Sequence, residues 1–270
     1  MMNAVPPLAI STTDLTRRFG KLTAVERICL QVSHGEIFGL LGANGAGKST
    51  VIKMLTTLLK PTSGIAKVGG FDIVKNPDEV RRCIGYVSQL VSADGSLTGF
   101  ENLRLSAKLY GLPAELRAER IADALNFMEL ADFSDKLVKS YSGGMIRRLE
   151  LAQAMLHRPS MLFLDEPTIG LDPVARHIVW DRLQNLKRDY GMTVLITTHD
   201  MEEAEALCDR LAILHAGRVA VVGNPLELRA GLGADATMSD VFVHYAGGAI
   251  HEGGTFGEVS QIRRTAQRLG

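Results

Sequence analysis

Short apolar runs bounded by turn residues open and close this chain, and a stretch of helical periodicity separates them. From about Leu8 to Val87, strand-like runs alternate with turns; Ile37-Phe38-Gly39-Leu40-Leu41 reads as a buried strand, residues 49–55 as a helix, and Ile84-Gly85-Tyr86-Val87 as a short closing strand. Between about Leu97 and Leu156 the period changes. Phe100, Leu103, Ala107 and Tyr110 share one helical face, and Ile121, Ala124, Leu125 and Met128 share another. Gly111-Leu112-Pro113 divides the two, since glycine suits a helix end and proline a helix start. After Pro159 the strand–helix alternation returns. Met161-Leu162-Phe163-Leu164, Val194-Leu195-Ile196 and Leu211-Ala212-Ile213-Leu214 are continuous apolar runs, the pattern of strands covered on both faces, with helices expected over 173–190 and 200–208. In the tail, Thr237 is placed to cap a helix whose face carries Met238, Val241, Phe242 and Tyr245. Gly247-Gly248 and Gly253-Gly254 predict flexibility, and Val259, Ile262, Ala266 and Leu269 mark a last, weaker helix. The pattern predicts an α/β core interrupted by a helical insertion at about 97–156, with a partly helical, flexible extension over 231–270.

Composition narrows the class. The 270 residues suffice for a sizeable core, and 30 basic against 30 acidic residues leave no net charge, so no nucleic-acid partner is expected. Cys29, Cys83 and Cys208 are far apart and sit in mostly apolar stretches, which predicts reduced, packed thiols in a cytosolic protein. No apolar run approaches the ~20 residues that span a bilayer. The N-terminus lacks a charged start followed by an apolar core, so no signal peptide is expected.

The chemistry begins at Gly42-Ala43-Asn44-Gly45-Ala46-Gly47-Lys48-Ser49, which fits G-x-x-x-x-G-K-[ST] between a strand and a helix. Glycines let backbone amides turn inward around phosphate oxygens, where a side chain would collide. The helix that follows points its free amides at the phosphates, Lys48 brings a positive charge and Ser49 a hydroxyl for magnesium. Leu162-Phe163-Leu164-Asp165-Glu166 is the second signal. A buried strand that ends in two acids places them where ligands bind in open α/β sheets. Asp165 is suited to hold magnesium, and Glu166 to orient or polarise the attacking water.

With Tyr141-Ser142-Gly143-Gly144-Met145 between these motifs, the chain resembles the nucleotide-binding subunits of ABC transporters, whose signature is usually written L-S-G-G-Q. A bare Ser-Gly-Gly is a turn in most proteins; here it precedes Arg147-Arg148-Leu149-Glu150-Leu151-Ala152, which continues as a helix. The resemblance covers about residues 8 to 230. It implies an α/β fold, a P-loop NTPase core with an antiparallel β subdomain and an inserted α-helical subdomain, and a nucleotide-binding domain over 1–230. It implies ATP and Mg2+ as cofactors, with Asn44, Gly45, Ala46, Gly47, Lys48, Ser49 and Thr50 around the phosphates and Ser49, Gln89 and Asp165 around the metal. Glu166, His199 and Lys48 are the implied catalytic residues, His199 through the terminal phosphate. Phe19 resembles the aromatic that stacks on adenine, the alternative being a core or surface aromatic. Ser142, Gly143, Gly144 and Met145 are implied to reach the nucleotide held by a second copy, and Asp172 to bridge the two copies. Ser88 stands before Gln89 where the family commonly has proline.

Tyr-Ser-Gly-Gly-Met followed by Arg-Arg-Leu, and the tail segment Met238-Ser239-Asp240-Val241-Phe242, resemble the exporter branch of daunorubicin-resistance type, which also carries polysaccharides and lipids. The expectation is an ATP-hydrolysing subunit that dimerises on ATP and powers a separate transmembrane permease from the cytoplasmic face of the membrane. The alternatives are a regulatory or mechanical ATPase on a membrane partner, and a soluble ATPase of DNA repair or translation. Leu90, Val91 and Leu97 are expected either to present an apolar patch to the permease or to fill the core beneath their loop.

Overall fold

A computed structural model describes residues 8–247. Its elements begin with β1 (Ile10–Phe19), β2 (Leu22–Val32), β3 (Ile37–Leu41), α1 (Lys48–Leu55), β4 (Ser63–Val68), β5 (Phe71–Asp72), α2 (Pro77–Cys83) and β6 (Ile84–Val87). The helical insertion consists of α3 (Gly99–Leu109), α4 (Ala114–Phe127) and α5 (Gly143–Met155). Then follow β7 (Met161–Asp165), α6 (Pro173–Tyr190), β8 (Thr193–Thr198), α7 (Met201–Leu207), β9 (Arg210–His215), β10 (Arg218–Gly223), α8 (Pro225–Ala230) and α9 (Met238–Gly247).

Two sheets form. One is four-stranded and antiparallel in the order β2-β1-β4-β5. The other is six-stranded in the order β10-β9-β3-β8-β7-β6, parallel from β9 to β6, with β10 antiparallel at its edge. Successive strand residues point to opposite faces, so each parallel strand serves two cores. Met161 and Phe163 pack with α1 and the antiparallel sheet, while Leu162 and Leu164 pack with the helices of the insertion and with α6. Burial on both faces is why these strands read as unbroken apolar runs.

Local chemistry sets the helix ends. Thr98 and Glu101 form a reciprocal capping box at the start of α3. Asp172 caps α6 with Pro173 at its first position, and Gly191 ends it at φ 62°.

Three expectations differ from the packing. On α3 the buried face carries Gly99, Asn102, Leu103 and Ala107, while Phe100 and Tyr110 are exposed. The face turns because the Asn102 amide is drawn inward: its Oδ1 accepts from the Asp94 amide at 2.8 Å and its Nδ2 donates to the Asp94 carbonyl at 3.0 Å. Of the thiols, Cys208 is buried and Cys83 half-buried, but Cys29 is exposed. Ile28 and Leu30 take the inner face of β2, and strand alternation turns Cys29 outward. Finally, packing continues past 230. Met238, Val241 and Ala246 of α9 join the main core, with Ala246 rather than the exposed Tyr245 completing the face. The Gly253-Gly254 pair and the helix expected around Val259 to Leu269 lie outside the described residues. No helix among the described residues is long and apolar enough to cross a membrane.

Candidate functional site

Strands β3, β8, β7 and β6 are neighbours and parallel, so their C-terminal ends open on one edge of the sheet. The phosphate loop follows β3, His199 follows β8, Asp165 and Glu166 close β7, and Gln89 lies just beyond β6. Ligands of open parallel sheets bind at such an edge.

The loop has a shape that its glycines permit. Gly45 and Gly47 adopt φ of 87° and 103°, a region that favours glycine. A Cβ on Gly47 would stand 2.6 Å from the Ala24 carbonyl oxygen, whereas one on Gly45 would meet nothing. Asn44 and Gly45 are exposed, Ala46 is buried, and Ser49 and Thr50 are half-buried in the first turn of α1. No side chain caps α1, so its leading amides remain available to an anion.

Lys48 is buried and folds back over the loop, donating to the carbonyls of Gly42 at 2.6 Å and Ala43 at 3.2 Å. Its Nζ lies 3.4 Å from Glu166 Oε1. Burial lowers the pKa of this ammonium, and the carboxylates of Glu166 and Asp165 oppose the shift. Asp165 Oδ1 accepts from Ser49 Oγ at 3.0 Å and from Thr197 Oγ1 at 2.6 Å. Glu166 is also approached by Gln89 Nε2 at 3.2 Å and by His199 Nδ1 at 3.3 Å. Thus Lys48, Ser49, Gln89, Asp165, Glu166 and His199 form one connected cluster. Beside it, burial and the charge of Asp165 push the Tyr86 phenol up to about 12.

Among the described residues, no hydrogen bond or ion pair joins the remaining predicted residues to this cluster. Ser142 caps α5 by accepting from the Met145 amide at 3.3 Å, and Asp172 caps α6 by accepting from the Ala175 amide at 2.9 Å. The two helix starts touch: a Cβ on Gly144 would lie 2.7 Å from Ala175 Cβ, and one on Gly143 would lie 3.3 Å from Leu171 Cδ2. Ser142, Gly144 and Asp172 share a cavity of about 200 Å³, and no hydrogen bond joins them to the phosphate loop among the described residues. Phe19 ends β1, half-buried, with the Arg17 guanidinium 4.5 Å over its ring. Leu90 and Val91 are exposed, whereas Leu97 is half-buried and its carbonyl accepts from Val138 at 2.9 Å.

Several polar residues around the site have no counterpart in the sequence reading. Thr197 receives the Glu166 amide and donates to Asp165. Buried Glu203 on α7 accepts from Thr168 Oγ1 at 2.6 Å and Trp180 Nε1 at 3.1 Å, and burial raises its carboxyl above the usual range. Arg147 and Glu150 are buried in α5 and paired at 3.0 Å. The available signal was a charged pair three residues apart in a helix, with apolar Leu149, Leu151 and Ala152 around Glu150.

No cluster of three or more His, Cys, Asp or Glu side chains suited to a metal occurs among the described residues. The adjacent Ser49 hydroxyl and Asp165 carboxylate are hard oxygen donors of the kind Mg2+ uses together with water and substrate phosphates.

The sequence pattern of the family described as "ABC transporter" matches residues 25–169. The daunorubicin/doxorubicin resistance ATP-binding protein of Streptomyces peucetius is 45% identical over 234 residues, covering 87% of this chain and 71% of that protein. The Nod factor export ATP-binding protein I of Ralstonia nicotianae is 41% identical, covering 81% of this chain and 68% of its own length. A dimeric ATP-binding cassette, solved in a post-hydrolysis state with ADP and phosphate, superposes with a TM-score of 0.71 at 27% identity, covering 80% of this chain and 98% of that one.

Proposed function

We propose, on the premise that this chain belongs to the ABC transporter family as an ATP-binding, ATP-hydrolysing subunit of the exporter branch, a residue-level account of its cycle. The observation that carries it is the connected cluster of Lys48, Ser49, Gln89, Asp165, Glu166 and His199 at one sheet edge. The loop amides and the start of α1 receive the phosphates. Lys48, which donates to loop carbonyls and pairs with Glu166, exchanges these partners for the terminal phosphates when ATP binds. Ser49, Asp165 and Gln89 are the residues that would hold Mg2+, which would supply charge neutralisation on the phosphate oxygens. Glu166 orients the attacking water and accepts its proton, and His199 steadies the terminal phosphate. Phe19 stacks on adenine.

The site is completed by a second copy. Ser142–Met145 and Asp172 form a separate surface locus on their own chain, which suits a role toward the nucleotide of a partner copy. ATP then joins two copies, and hydrolysis weakens the joint. A transmembrane permease that grips both copies, in part through exposed Leu90 and Val91, converts that change into export. By kinship with the resistance and Nod factor proteins, the cargo is a drug-like, lipid or polysaccharide molecule, and the subunit works at the cytoplasmic face of the membrane. Glu166→Gln keeps the side chain's size and removes its basicity, so turnover falls by ~10²–10⁴-fold while ATP still binds. Sedimentation with Mg-ATP should then find a stable dimer of this variant; a monomer with ATP demonstrably bound refutes the shared site.

A further inference from the structure

One buried pair reaches both Glu166 and the Gln89 loop. Arg147 and Glu150 are 5% and 3% exposed on successive turns of α5. The Arg147 guanidinium donates through Nε to the Pro167 carbonyl at 2.5 Å and through Nη2 to the Glu166 carbonyl at 3.2 Å. Its Nη1 donates to the Ser88 carbonyl at 2.9 Å and to Glu150 Oε2 at 3.0 Å. The other oxygen of Glu150 accepts from the Ser92 amide at 2.5 Å and from Ser92 Oγ at 3.0 Å. Ser88 and Ser92 flank Gln89, whose side chain returns to Glu166 Oε2 at 3.2 Å. The circuit is closed: α5 holds both ends of the Gln89 loop, the loop touches the Glu166 side chain, and α5 holds the Glu166 backbone.

Stability alone does not call for this arrangement. A buried ion pair usually does no better than well-packed apolar residues of the same volume. What an apolar pair cannot supply is a planar, many-donor group that fixes three carbonyls from two segments at once, and lysine has neither the fork nor the reach. Glu166 needs such fixing. It sits at φ 49°, a left-handed conformation uncommon for a side-chain-bearing residue, with its amide held by Thr197 and its carbonyl by Arg147. The grip on the loop also brackets Leu90 and Val91, which are 80% and 64% exposed.

We propose that Arg147 and Glu150 are positioning residues which couple the conformation of residues 88–92 to the catalytic carboxylate through α5, the helix that begins with Ser142-Gly143-Gly144. A displacement of the exposed loop then reaches Glu166 and the helix start together. This rests on the role proposed for Glu166, and its test has one arm independent of that role. In the full chain without nucleotide, hydrogen exchange is measured for wild type and for Arg147→Lys. Faster exchange is expected both in 88–92 and in 166–169, with 42–49 unchanged. In the second arm, Arg147→Lys should lower the maximal ATPase rate at least tenfold while KM and ATP affinity stay near wild type. The same change in a Gln89→Ala background should add little. Glu150→Gln, which keeps the side chain's size, serves as the second variant, with the loss of protection centred on Ser92. Exchange that stays unchanged in 88–92 and 166–169 overturns the coupling whether or not the chain hydrolyses ATP. So does an active Arg147→Lys enzyme, a fall in affinity and melting temperature that matches the fall in rate, or effects of Arg147→Lys and Gln89→Ala that simply multiply. A folded wild type that binds but does not hydrolyse ATP defeats the role of Glu166 instead, and the exchange arm still decides the coupling.

Discussion

Gly144→Ala is a single-methyl perturbation with a readable consequence. The added Cβ would stand 2.7 Å from Ala175 Cβ. Carbon atoms in contact prefer about 3.5–4.0 Å, so the starts of α5 and α6 must separate by roughly 1 Å. Neither side offers a flexible chain that can swing away, since both atoms are fixed to helical backbone. Overpacking of this kind costs about 1–3 kcal/mol, and replacing helical glycine by alanine returns up to ~1 kcal/mol. The net loss of about 0–2 kcal/mol lowers the melting temperature by up to roughly 8 °C in a domain of this size. Activity should suffer more, because a displacement of about 1 Å in a positioned group can cost ~10²-fold. The loss should fall on the maximal rate rather than on ATP affinity, as the phosphate loop is untouched. Melting curves and steady-state ATPase assays on the same samples measure both. Ala175→Gly supplies the decisive control, since it removes the opposing methyl. The double variant should recover most of the lost rate and of the melting temperature, since the helix propensity gained at 144 and lost at 175, up to ~1 kcal/mol each, roughly cancels. A Gly144→Ala protein with wild-type rate and melting, or a double variant no more active than the single, refutes the steric reasoning.

Two further predictions concern Glu203 and Phe19. Burial holds the Glu203 carboxyl above its ordinary value of 4.5, so the stability linked to it is complete below that value and is lost as pH rises through the folded pKa. Glu203→Gln keeps an oxygen for Thr168 and Trp180 without the charge; its stability relative to wild type, from denaturant unfolding across pH, should therefore rise with pH, and a flat or falling difference contradicts this. Phe19→Ala should raise the KM for ATP, by the ~1–3 kcal/mol of one base–aromatic stack, with little change in kcat. An unchanged KM would leave the ring, already covered by Arg17, as a surface aromatic.

Much of the fold is legible because its strands and loops announce themselves locally. The runs at 37–41, 161–164, 194–196 and 211–214 are apolar without alternation because both faces of the central sheet are covered. Glycine and proline mark the turns between them. The phosphate loop and the Asp165-Glu166 pair are contiguous, so spacing alone exposes them. Cross-strand chemistry is less visible. Thr197 meets Asp165 only because β7 and β8 are in register, and Glu203 meets Thr168 only through tertiary packing. Arg147 and Glu150 look like surface charges in a list of residues and become buried once the Gln89 loop closes over them. The Phe100 expectation fails for a similar reason: periodicity counts apolar residues, and it gives no weight to Asn102, whose amide satisfies a buried turn. The exposed Cys29 shows the converse, an apolar neighbourhood in sequence that strand alternation splits between inside and outside.

ATP hydrolysis at the edge of the parallel sheet, driven by the Lys48 cluster, is tested most directly by phosphate release from the purified full-length chain. The measurement compares wild type with Lys48→Ala, each with Mg-ATP and with the magnesium chelated. Wild type should release phosphate only with magnesium. Lys48→Ala should remain folded and lose about 10²–10³-fold in rate, as expected when a preorganised charge is removed from developing anionic oxygens. A folded Lys48→Ala protein that hydrolyses ATP as fast as wild type, or a wild-type rate indifferent to magnesium, would contradict the account.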